Sequence, residues 1–345
     1  MISGWIILDK PLGLGSTQAV GAVKRNLREA GYGKVKVGHG GTLDPLATGV
    51  LPIALGEATK LAGRMLDAKK TYEFTVAFGA ETDTLDLEGK VIATSAVRPT
   101  QQEVERALHR FRGDIEQVPP AYSALKVDGE RAYDLARAGE VIELKSRSVT
   151  IHSLNIRHPE LVSGPIVRLA LSLDQNENGA IALPNRASVG DEKWALKRVQ
   201  GDEVGLLEEV TLHAHVSKGT YIRSLARDIA RALGTVGHVT HLRRTRAGPF
   251  GLASAISLDK LNEVGKGAAL ENILLPLEAG LDDIPALTLS PEQASMVRQG
   301  RVLTGLPHTD GLYWARKGST PLALVQLSGG NATVVRGFNL PDVAE

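Results

Sequence analysis

The segment VGHGGTLDPLATGVL (residues 37–51) interrupts ordinary apolar sequence with four glycines, one histidine and a single carboxylate, Asp44, directly before Pro45. Proline disfavours the helical conformation in the residue before it, so the Asp44 side chain is expected to project from a turn or extended backbone. The glycines at positions 38, 40 and 41 allow another backbone or a ligand to approach closely. The segment therefore predicts a glycine-lined loop that presents one acid and leads into a buried strand.

The residues of this loop leave two of four interpretations open. A dinucleotide fingerprint fails because Leu43 stands where the third glycine is needed, and no phosphate-binding GK[ST] follows. A metal site is weakly supported, since His39 has no histidine or cysteine partner at ligand spacing. The other two interpretations are catalysis by one carboxylate with a cation from elsewhere in the chain, and a plain turn in which Asp44 bonds local backbone. The loop alone does not separate these two.

The composition predicts a globular chain of one large and one small domain. It has 345 residues, 43% of them hydrophobic, and a formal net charge of only +1, so any surface for a polyanion must come from local clustering of cations. The absence of cysteine removes disulfides, thiolate nucleophiles and cysteine-based zinc sites, and it fits a reducing compartment. The start of the sequence, MISGWIILDKPLG, has no basic leader, and its apolar run is too short for a membrane span. We therefore expect a cytoplasmic location and no membrane association.

Hydrophobic periodicity predicts alternating strands and helices around the loop. In TYEFTVAFG (71–79), period-two alternation puts the aromatic residues Tyr72, Phe74 and Phe78 on one face of a strand. In STQAVGAVKRNLREAG (16–31), Ser16 or Thr17 is the predicted helix cap. Further strands are predicted in 3–11, 49–56, 165–174 and 208–217, and further helices in 57–68, 100–113, the second half of 117–140, and 221–234.

Two segments depart from this pattern. Residues from about 158 to 205 are largely polar and rich in turns, and they predict an insertion, interpreted as a surface excursion. After the proline-punctuated stretch at 276–291, a short capped helix is predicted in 290–300 and strands in 311–318, 321–330 and 331–339. This tail of about 60 residues is expected to form a small β-rich domain.

A local excess of positive charge lies near the end of the larger region. From position 212 to 248 there are seven lysines or arginines and four histidines against one aspartate. Within the predicted helix 221–234, Arg223, Arg227 and Arg231 follow one another four residues apart. This asymmetry favours contact with phosphate groups, and an ordinary solvated helix face is the alternative.

Four separated blocks resemble one family. They are GHGGTLDPLATGVLPIALGEATK (38–60), KTYEFTVAFGAETDTLDLEG (70–89), PPAYSALKVDGERAYDLARAG (119–139) and SKGTYIRSLARDIARALG with HVTHLRR (217–234 and 238–244). Together, and in this order, they resemble the TruB-type tRNA pseudouridine synthases over nearly the whole chain apart from the insertion. The tail is similar to a PUA-type RNA-binding module.

The resemblance implies an α+β fold. Residues 1–280 would form a catalytic domain around a mixed, mainly antiparallel sheet, with the insertion at about 158–205, and residues 286–345 a small PUA-like β-barrel. The implied activity is isomerisation of uridine 55 in the T-arm of tRNA to pseudouridine, without cofactor or metal, by a monomer that needs no protein partner. A catalytically silent RNA-binding or tRNA-folding protein and a guide-RNA-dependent synthase are the alternatives.

The resemblance also assigns residues. It implies that Asp44 is the catalytic carboxylate, that Tyr72 packs against an extruded base and that Arg223 pairs with Asp44. Substrate contacts fall on His39, Tyr221 and Leu242, RNA-backbone contacts are expected for Arg227 and Arg231, and Lys10 and Pro11 belong to a supporting motif. Without the resemblance, Tyr72 and Leu242 would be core residues, His39 a turn residue and Arg223 a solvated helix residue. Asp83 and Asp86 are expected to cap a turn.

Overall fold

The computed structural model of the chain describes residues 2–123, 125–127, 129–139, 144–157 and 205–340. The predicted insertion at about 158–205, with its predicted strand at 165–174, lies outside the described residues except for position 205.

The strands and helices include those predicted within the described residues, and they also include two long strands that were not predicted, at Arg147–Ile156 and Gly237–Ala247. The strands are β1 (Gly4–Lys10), β2 (Val37–His39), β3 (Ala47–Leu55), β4 (Lys70–Phe78), β5 (Ala80–Thr82), β6 (Val91–Thr94), β7 (Gly113–Gln117), β8 (Lys126–Val127), β9 (Glu130–Arg131), β10 (Arg147–Ile156), β11 (Glu209–Val216), β12 (Gly237–Ala247), β13 (Phe250–Gly251), β14 (Ala286–Thr288), β15 (Gly311–Lys317), β16 (Thr320–Ser328) and β17 (Asn331–Gly337). The helices are α1 (Ser16–Glu29), α2 (Ala62–Asp67), α3 (Gln101–Leu108), α4 (Ala132–Arg137), α5 (Ile222–Ala232), α6 (Leu258–Gly265) and α7 (Pro291–Arg298).

One large sheet organises the first part of the chain. Its strands run in the order β1-β3-β12-β4-β11-β10-β7, with β2 added to β3 and β13 added to β12. All neighbours are antiparallel except β3 and β12, which are parallel. The mixed, mainly antiparallel α+β architecture that the family resemblance implies is therefore confirmed.

The alternation in β4 explains which face of the sheet is covered. Phe74, Val76 and Phe78 are buried in one core cluster together with the apolar side of α5, and Tyr72 packs at the edge of that cluster. Successive side chains of a strand point to opposite faces, so Phe74, Val76 and Phe78 meet the helix layer together. The β4 prediction is confirmed.

The predicted cap of α1 is wrong. The helix is capped by Gly15, whose backbone N–H donates to the side-chain oxygen of Gln18 at 2.8 Å. Ser16 is already helical, and its buried hydroxyl bonds the backbone of Leu43 instead. The Ser16 side chain, which local preference assigned to the cap, therefore makes a tertiary contact instead. The predicted helix at 57–68 also differs, since Gly56–Leu61 form a 3-10 helix before α2 begins.

The tail forms a second sheet in the order β14-β15-β16-β17. Strands β15, β16 and β17 are antiparallel neighbours, and β14 pairs with β15 in parallel. A separate apolar cluster joins this sheet to α7, while Leu324 and Phe338 pack with Trp5 of the large sheet. The β-rich tail is confirmed; its closure into a barrel and the domain boundaries at 280 and 286 stay predictions. None of the helices in the described part of the chain has the length and apolar content that a membrane crossing requires.

Candidate active site

The Asp44 loop is fixed on both sides of the acid by hydrogen bonds to its backbone. The Ser16 hydroxyl accepts from the N–H of Leu43 at 2.8 Å and donates to the carbonyl of Leu43 at 2.9 Å. On the other side, the Pro45 carbonyl accepts from the Lys10 ammonium at 3.2 Å and from the N–H of Gly13 at 2.9 Å. The backbone that carries Asp44 is therefore held in place before any ligand arrives.

A buried arginine, Arg244 of β12, braces the loop and lies against Gly49. Its guanidinium donates to the carbonyls of Gly41 and Thr42 at 3.1 and 3.2 Å, and to that of Val50 at 2.8 Å. Gly49 has a φ of +99°, and a Cβ there would lie 2.2 Å from the Arg244 carbonyl oxygen. Close backbone approach requires glycine at this position. At the three glycines for which the sequence predicted close approach, Gly38 faces open space, Gly40 lies against the Met65 side chain, and Gly41 has Arg244 Nη1 at an ordinary 3.6 Å from a built Cβ.

Asp44 meets a cation from a distant segment. Its carboxylate lies 2.8 Å from Nη2 of Arg223, in the first turn of α5, where the Arg223 side chain is 7% exposed and the Asp44 side chain 43% exposed. Arg223 also donates to the carbonyls of Thr84 at 2.8 Å and Tyr122 at 3.0 Å. The guanidinium is thus anchored by the protein and directs one nitrogen at the accessible acid.

A second carboxylate holds the same arginine, and sequence reasoning missed this contact. Asp86 lies 3.2 Å from Nη1 of Arg223, and both side chains are buried. Asp86 also accepts from the Thr84 hydroxyl at 2.5 Å and from the N–H of Glu88 at 3.0 Å. The expected turn capping is confirmed for Asp86, and for Asp83, which accepts from the N–H of Lys90. The sequence signal for the missed contact was Asp86 itself, an acid in the block TDTLDLEG, but only the fold brings Asp86 next to α5.

A cavity of about 330 Å³ opens beside the acid, between the Asp44 loop, the ends of β4 and β11, and the start of α5. Its lining includes five of the predicted site residues, which are Asp44, Tyr72, Tyr221, Arg223 and Leu242. The volume is at the small end of the range for ligand pockets, which suits one ring-sized group. Tyr72 and Leu242 form the apolar wall, where each also packs against the two core clusters that meet there.

Tyr221 is positioned by a buried glutamine. The backbone of Tyr221 donates its N–H to the Gln117 side chain at 2.8 Å, and its carbonyl accepts from the Gln117 amide at 3.1 Å. The Arg147 guanidinium stands 5.3 Å from the centre of the Tyr221 ring. Burial raises the pKa of Tyr221, so its hydroxyl keeps its proton at neutral pH and can donate a hydrogen bond into the cavity.

His39 lies at the end of β2 and is absent from the residues that line the cavity. Its Nδ1 accepts from the N–H of Gly41 at 3.4 Å. Burial, with the nearby Arg244 charge, lowers the pKa of His39, so the ring is neutral at pH 7. A neutral, half-buried imidazole next to the loop presents a flat surface rather than a charge.

Two further buried cations surround the loop. Lys10 donates to the carbonyls of Pro11, Leu14 and Pro45. Lys70, which lines the cavity, donates to two carbonyls at the end of α2. Burial lowers the pKa of Lys10 to about 8, against the attraction of Asp44, and burial with Arg244 lowers that of Lys70 to about 8. Asp44 is therefore the accessible anion in a site whose fixed charges are largely positive.

The other two arginines of α5 form ion pairs within the protein. Arg227 donates to Asp228 at 2.9 Å, and Arg231 donates to Glu81 at 2.8 Å. Arg223 is buried, so the three do not form one solvent-facing stripe. Contacts of Arg227 and Arg231 with an RNA backbone stay predictions.

Two family profiles match the chain. The first, described as the TruB family pseudouridylate synthase N-terminal domain, matches residues 27–174. The second, described as the tRNA pseudouridylate synthase B C-terminal domain, matches residues 223–282. The first contains the Asp44 loop and the second the Arg223 helix.

Similar proteins and structures extend over nearly all of the chain. A protein of Novosphingobium aromaticivorans named tRNA pseudouridine synthase B is 65% identical over 345 residues and covers 100% of both chains. One of the same name from Zymomonas mobilis is 52% identical over 338 residues, which are 98% of this chain and 96% of that protein. Among solved structures, one titled as an H/ACA RNP bound to a substrate RNA containing 2'-deoxyuridine has a TM-score of 0.63 at 21% identity, over 98% of this chain and 85% of the other. A Cbf5-Nop10-Gar1 complex gives 0.63 at 23% identity, over 97% and 85%. At these identities the structures show a shared fold.

Proposed function

The chain belongs to the TruB family of pseudouridylate synthases, and from that premise we propose that it isomerises uridine 55 of tRNA to pseudouridine with Asp44 as the catalytic carboxylate. The single observation that carries the assignment of Asp44 is its position. It is the accessible acid at the cavity, held 2.8 Å from a buried arginine. The relatives that match the chain from end to end bear the name of a tRNA pseudouridine synthase.

The reaction needs one acid and a closed space. It does not need the second carboxylate with which a hydrolase activates water. The N1–C1′ bond of the uridine breaks, the uracil rotates, a C5–C1′ bond forms, the C5 proton leaves and N1 gains a proton. A carboxylate can support the first step by adding to the base or ribose, or by taking a ribose proton. The cavity must keep both fragments together and exclude water, which agrees with its small volume and apolar wall.

Arg223 gives the Asp44 carboxylate its direction. The ion pair at 2.8 Å holds the carboxylate toward the buried guanidinium. Because Arg223 is held on its other side by Asp86 and two carbonyls, the orientation is set in the free protein. Preorganisation of this kind removes the need to reorganise charges during the reaction.

The remaining site residues would bind the extruded nucleotide. Tyr72 and Leu242 offer apolar surface to the uracil ring, and Tyr221 offers a protonated hydroxyl. His39, neutral and outside the cavity, would contact the RNA at the place that the base vacates.

The partner is proposed to be the T-arm of tRNA, with the chain acting as a monomer in the cytoplasm and without a protein partner or guide RNA. The matches extend over 96–100% of the length of two relatives that are named tRNA pseudouridine synthase B. That name supports an enzyme that works on tRNA itself. The presence of Asp44, Tyr72 and Arg223 around one cavity argues against a protein that only binds or folds RNA.

The test is Asp44→Asn, which removes the charge and keeps the shape. Incubated with one unmodified tRNA transcript tritiated at C5 of uridine, the variant is expected to release no tritium while binding the tRNA nearly as well as the wild-type protein. Asp67→Asn is the matched control, because Asp67 lies close by but is exposed and paired with Lys218. Retained turnover in Asp44→Asn would refute the assignment.

A further inference from the structure

A second concave site lies at the other end of β2 from His39. It has a volume of about 540 Å³ and is built from the segment before β2 and the 3-10 helix after β3. The charged groups in its lining are three lysines, Lys34, Lys36 and Lys60, and one acid, Glu57. The site shares no lining residue with the Asp44 cavity.

The acid in this site is already neutralised. Glu57 lies 2.7 Å from the Lys60 ammonium and accepts from the N–H of Asn339 at 2.7 Å. Burial would raise the pKa of Glu57, but the bonds from Lys60 and Asn339 outweigh it and lower the pKa, so the carboxylate stays ionised. Lys34 and Lys36 are exposed, and neither forms an ion pair with another residue that the structure describes. The lining therefore carries two more positive charges than negative charges, and Lys36 also helps to lower the pKa of Glu57.

The remaining wall is apolar and includes an aromatic ring. Tyr32 and Val35 line the pocket and are partly buried against the core cluster formed by α1, β1 and β3. Such packing limits the freedom of the ring, so a second flat group can pack against it at a small entropic cost. Lysines beside a fixed aromatic side chain are the combination that proteins use for a phosphodiester and its attached nucleoside.

The position of the pocket links the cavity to the tail. Lys36 and His39 are three positions apart, which at about 3.3 Å per residue is about 10 Å along an extended strand. The Lys36 carbonyl accepts from the N–H of Gly56 at 2.8 Å, which fixes this segment against the 3-10 helix. On the far side, Lys60 donates to the Gly337 carbonyl at the end of β17 at 2.9 Å. A polyanion that extends from the cavity toward the C-terminal sheet would pass over this pocket.

We propose that this pocket binds a nucleotide of the substrate RNA other than the target uridine, with its phosphate on Lys34 and Lys36 and its nucleoside against Tyr32. The inference rests on the proposed function, because it takes the RNA in the cavity as the same molecule. The pocket adds affinity and orientation for the tRNA and takes no part in the bond changes.

The experiment measures binding of an unmodified tRNA transcript to the full chain as a function of salt. Lys34→Gln with Lys36→Gln is expected to weaken binding about five- to tenfold at low salt and to flatten the double-logarithmic salt slope by about 0.7, the value for one phosphate contact on single-stranded RNA. Tyr32→Leu is expected to weaken binding about fivefold with an unchanged slope. The single-turnover rate at saturating tRNA stays at the wild-type value in both.

Lys24→Gln with Arg25→Gln is the matched control, since it makes the same charge change at two exposed positions of α1. Its affinity is expected to stay within about twofold of the wild type, because general attraction alone is lost. The proposal is overturned if the Lys34 and Lys36 variant binds as the wild type does, or if the control loses as much. It is also overturned if free uridine monophosphate binds this pocket while tRNA affinity is insensitive to the substitutions.

The binding assay also separates this inference from the proposed function. A wild-type chain that makes no pseudouridine, but binds tRNA through these lysines, refutes the function and leaves the pocket assigned to RNA. A chain that makes pseudouridine with unchanged affinity in the double variant refutes the pocket alone.

Discussion

Asp86→Asn separates the carboxylate that supports Arg223 from the carboxylate that faces the cavity. Asparagine can still accept from the Thr84 hydroxyl and the N–H of Glu88 through its remaining oxygen. Its amide then faces Arg223, so a donor meets a donor where a buried ion pair stood. Arg223 keeps its contacts with Asp44 and two carbonyls and is not left without partners.

The expected magnitude follows from burial. Loss of one hydrogen bond between charged groups costs about 1.5–3 kcal/mol, and breaking a fully buried pair costs about 3–5 kcal/mol. Because Arg223 retains other partners, we expect a loss of about 2–3 kcal/mol, or a Tm lower by about 4–6 °C. Asp44→Asn breaks a pair whose acid is 43% exposed, so solvent screening limits the loss to about 1 kcal/mol or less.

The assay combines thermal unfolding with single-turnover pseudouridine formation at saturating tRNA. Asp86→Asn is expected to form product about 10- to 100-fold more slowly, because a looser Arg223 no longer fixes the direction of Asp44; this equals about 1.4–2.7 kcal/mol in the barrier. Asp83→Asn is the matched control in the same hairpin, where the acid only accepts a backbone N–H, and both Tm and rate should stay near wild type. The reasoning fails if Asp86→Asn melts and reacts like the wild type, or if Asp44→Asn is the less stable of the two.

Three further outcomes follow from the same contacts. The pKa of Lys70 is about 8 in the folded protein against a usual 10.5, so the unfolded chain binds more protons between these values. The wild type should therefore gain stability relative to Lys70→Met as pH rises from 8 to 10.5, and thermal melts with a pH-independent difference would contradict this. Replacing Arg227 and Arg231 by alanine should weaken tRNA binding and flatten its salt dependence, and unchanged affinity across salt would count against phosphate contacts there. Gly49→Ala should lower the Tm by more than about 4 °C, since its Cβ would meet the Arg244 carbonyl at 2.2 Å. Gly21→Ala, in open space on a helix, should instead raise stability by about 0.5–1 kcal/mol. Equal melting temperatures of the two variants would speak against the Gly49 argument.

Local patterns in the sequence were sufficient for most of the elements. The alternation of β4 and the spacing of α5 predicted the buried faces of both, because periodicity records which side of an element meets the core. The cap of α1 was wrong for a reason outside the helix, since Ser16 is used by the Leu43 backbone 27 residues away. Competition between a local and a distant partner cannot be read from propensity.

The sequence alone determined that a lone acid before a proline sits in a glycine-lined loop, and it left open whether that acid acts with a cation from elsewhere in the chain or only bonds local backbone. The resemblance of four blocks then supplied Arg223 as that cation. Only the tertiary structure showed that Asp86 holds the same guanidinium, that Arg244 and Lys10 brace the loop, and that Arg227 and Arg231 are already paired. These contacts join residues far apart in the chain, and their strength depends on burial and on distances below about 4 Å, which spacing along a sequence does not specify.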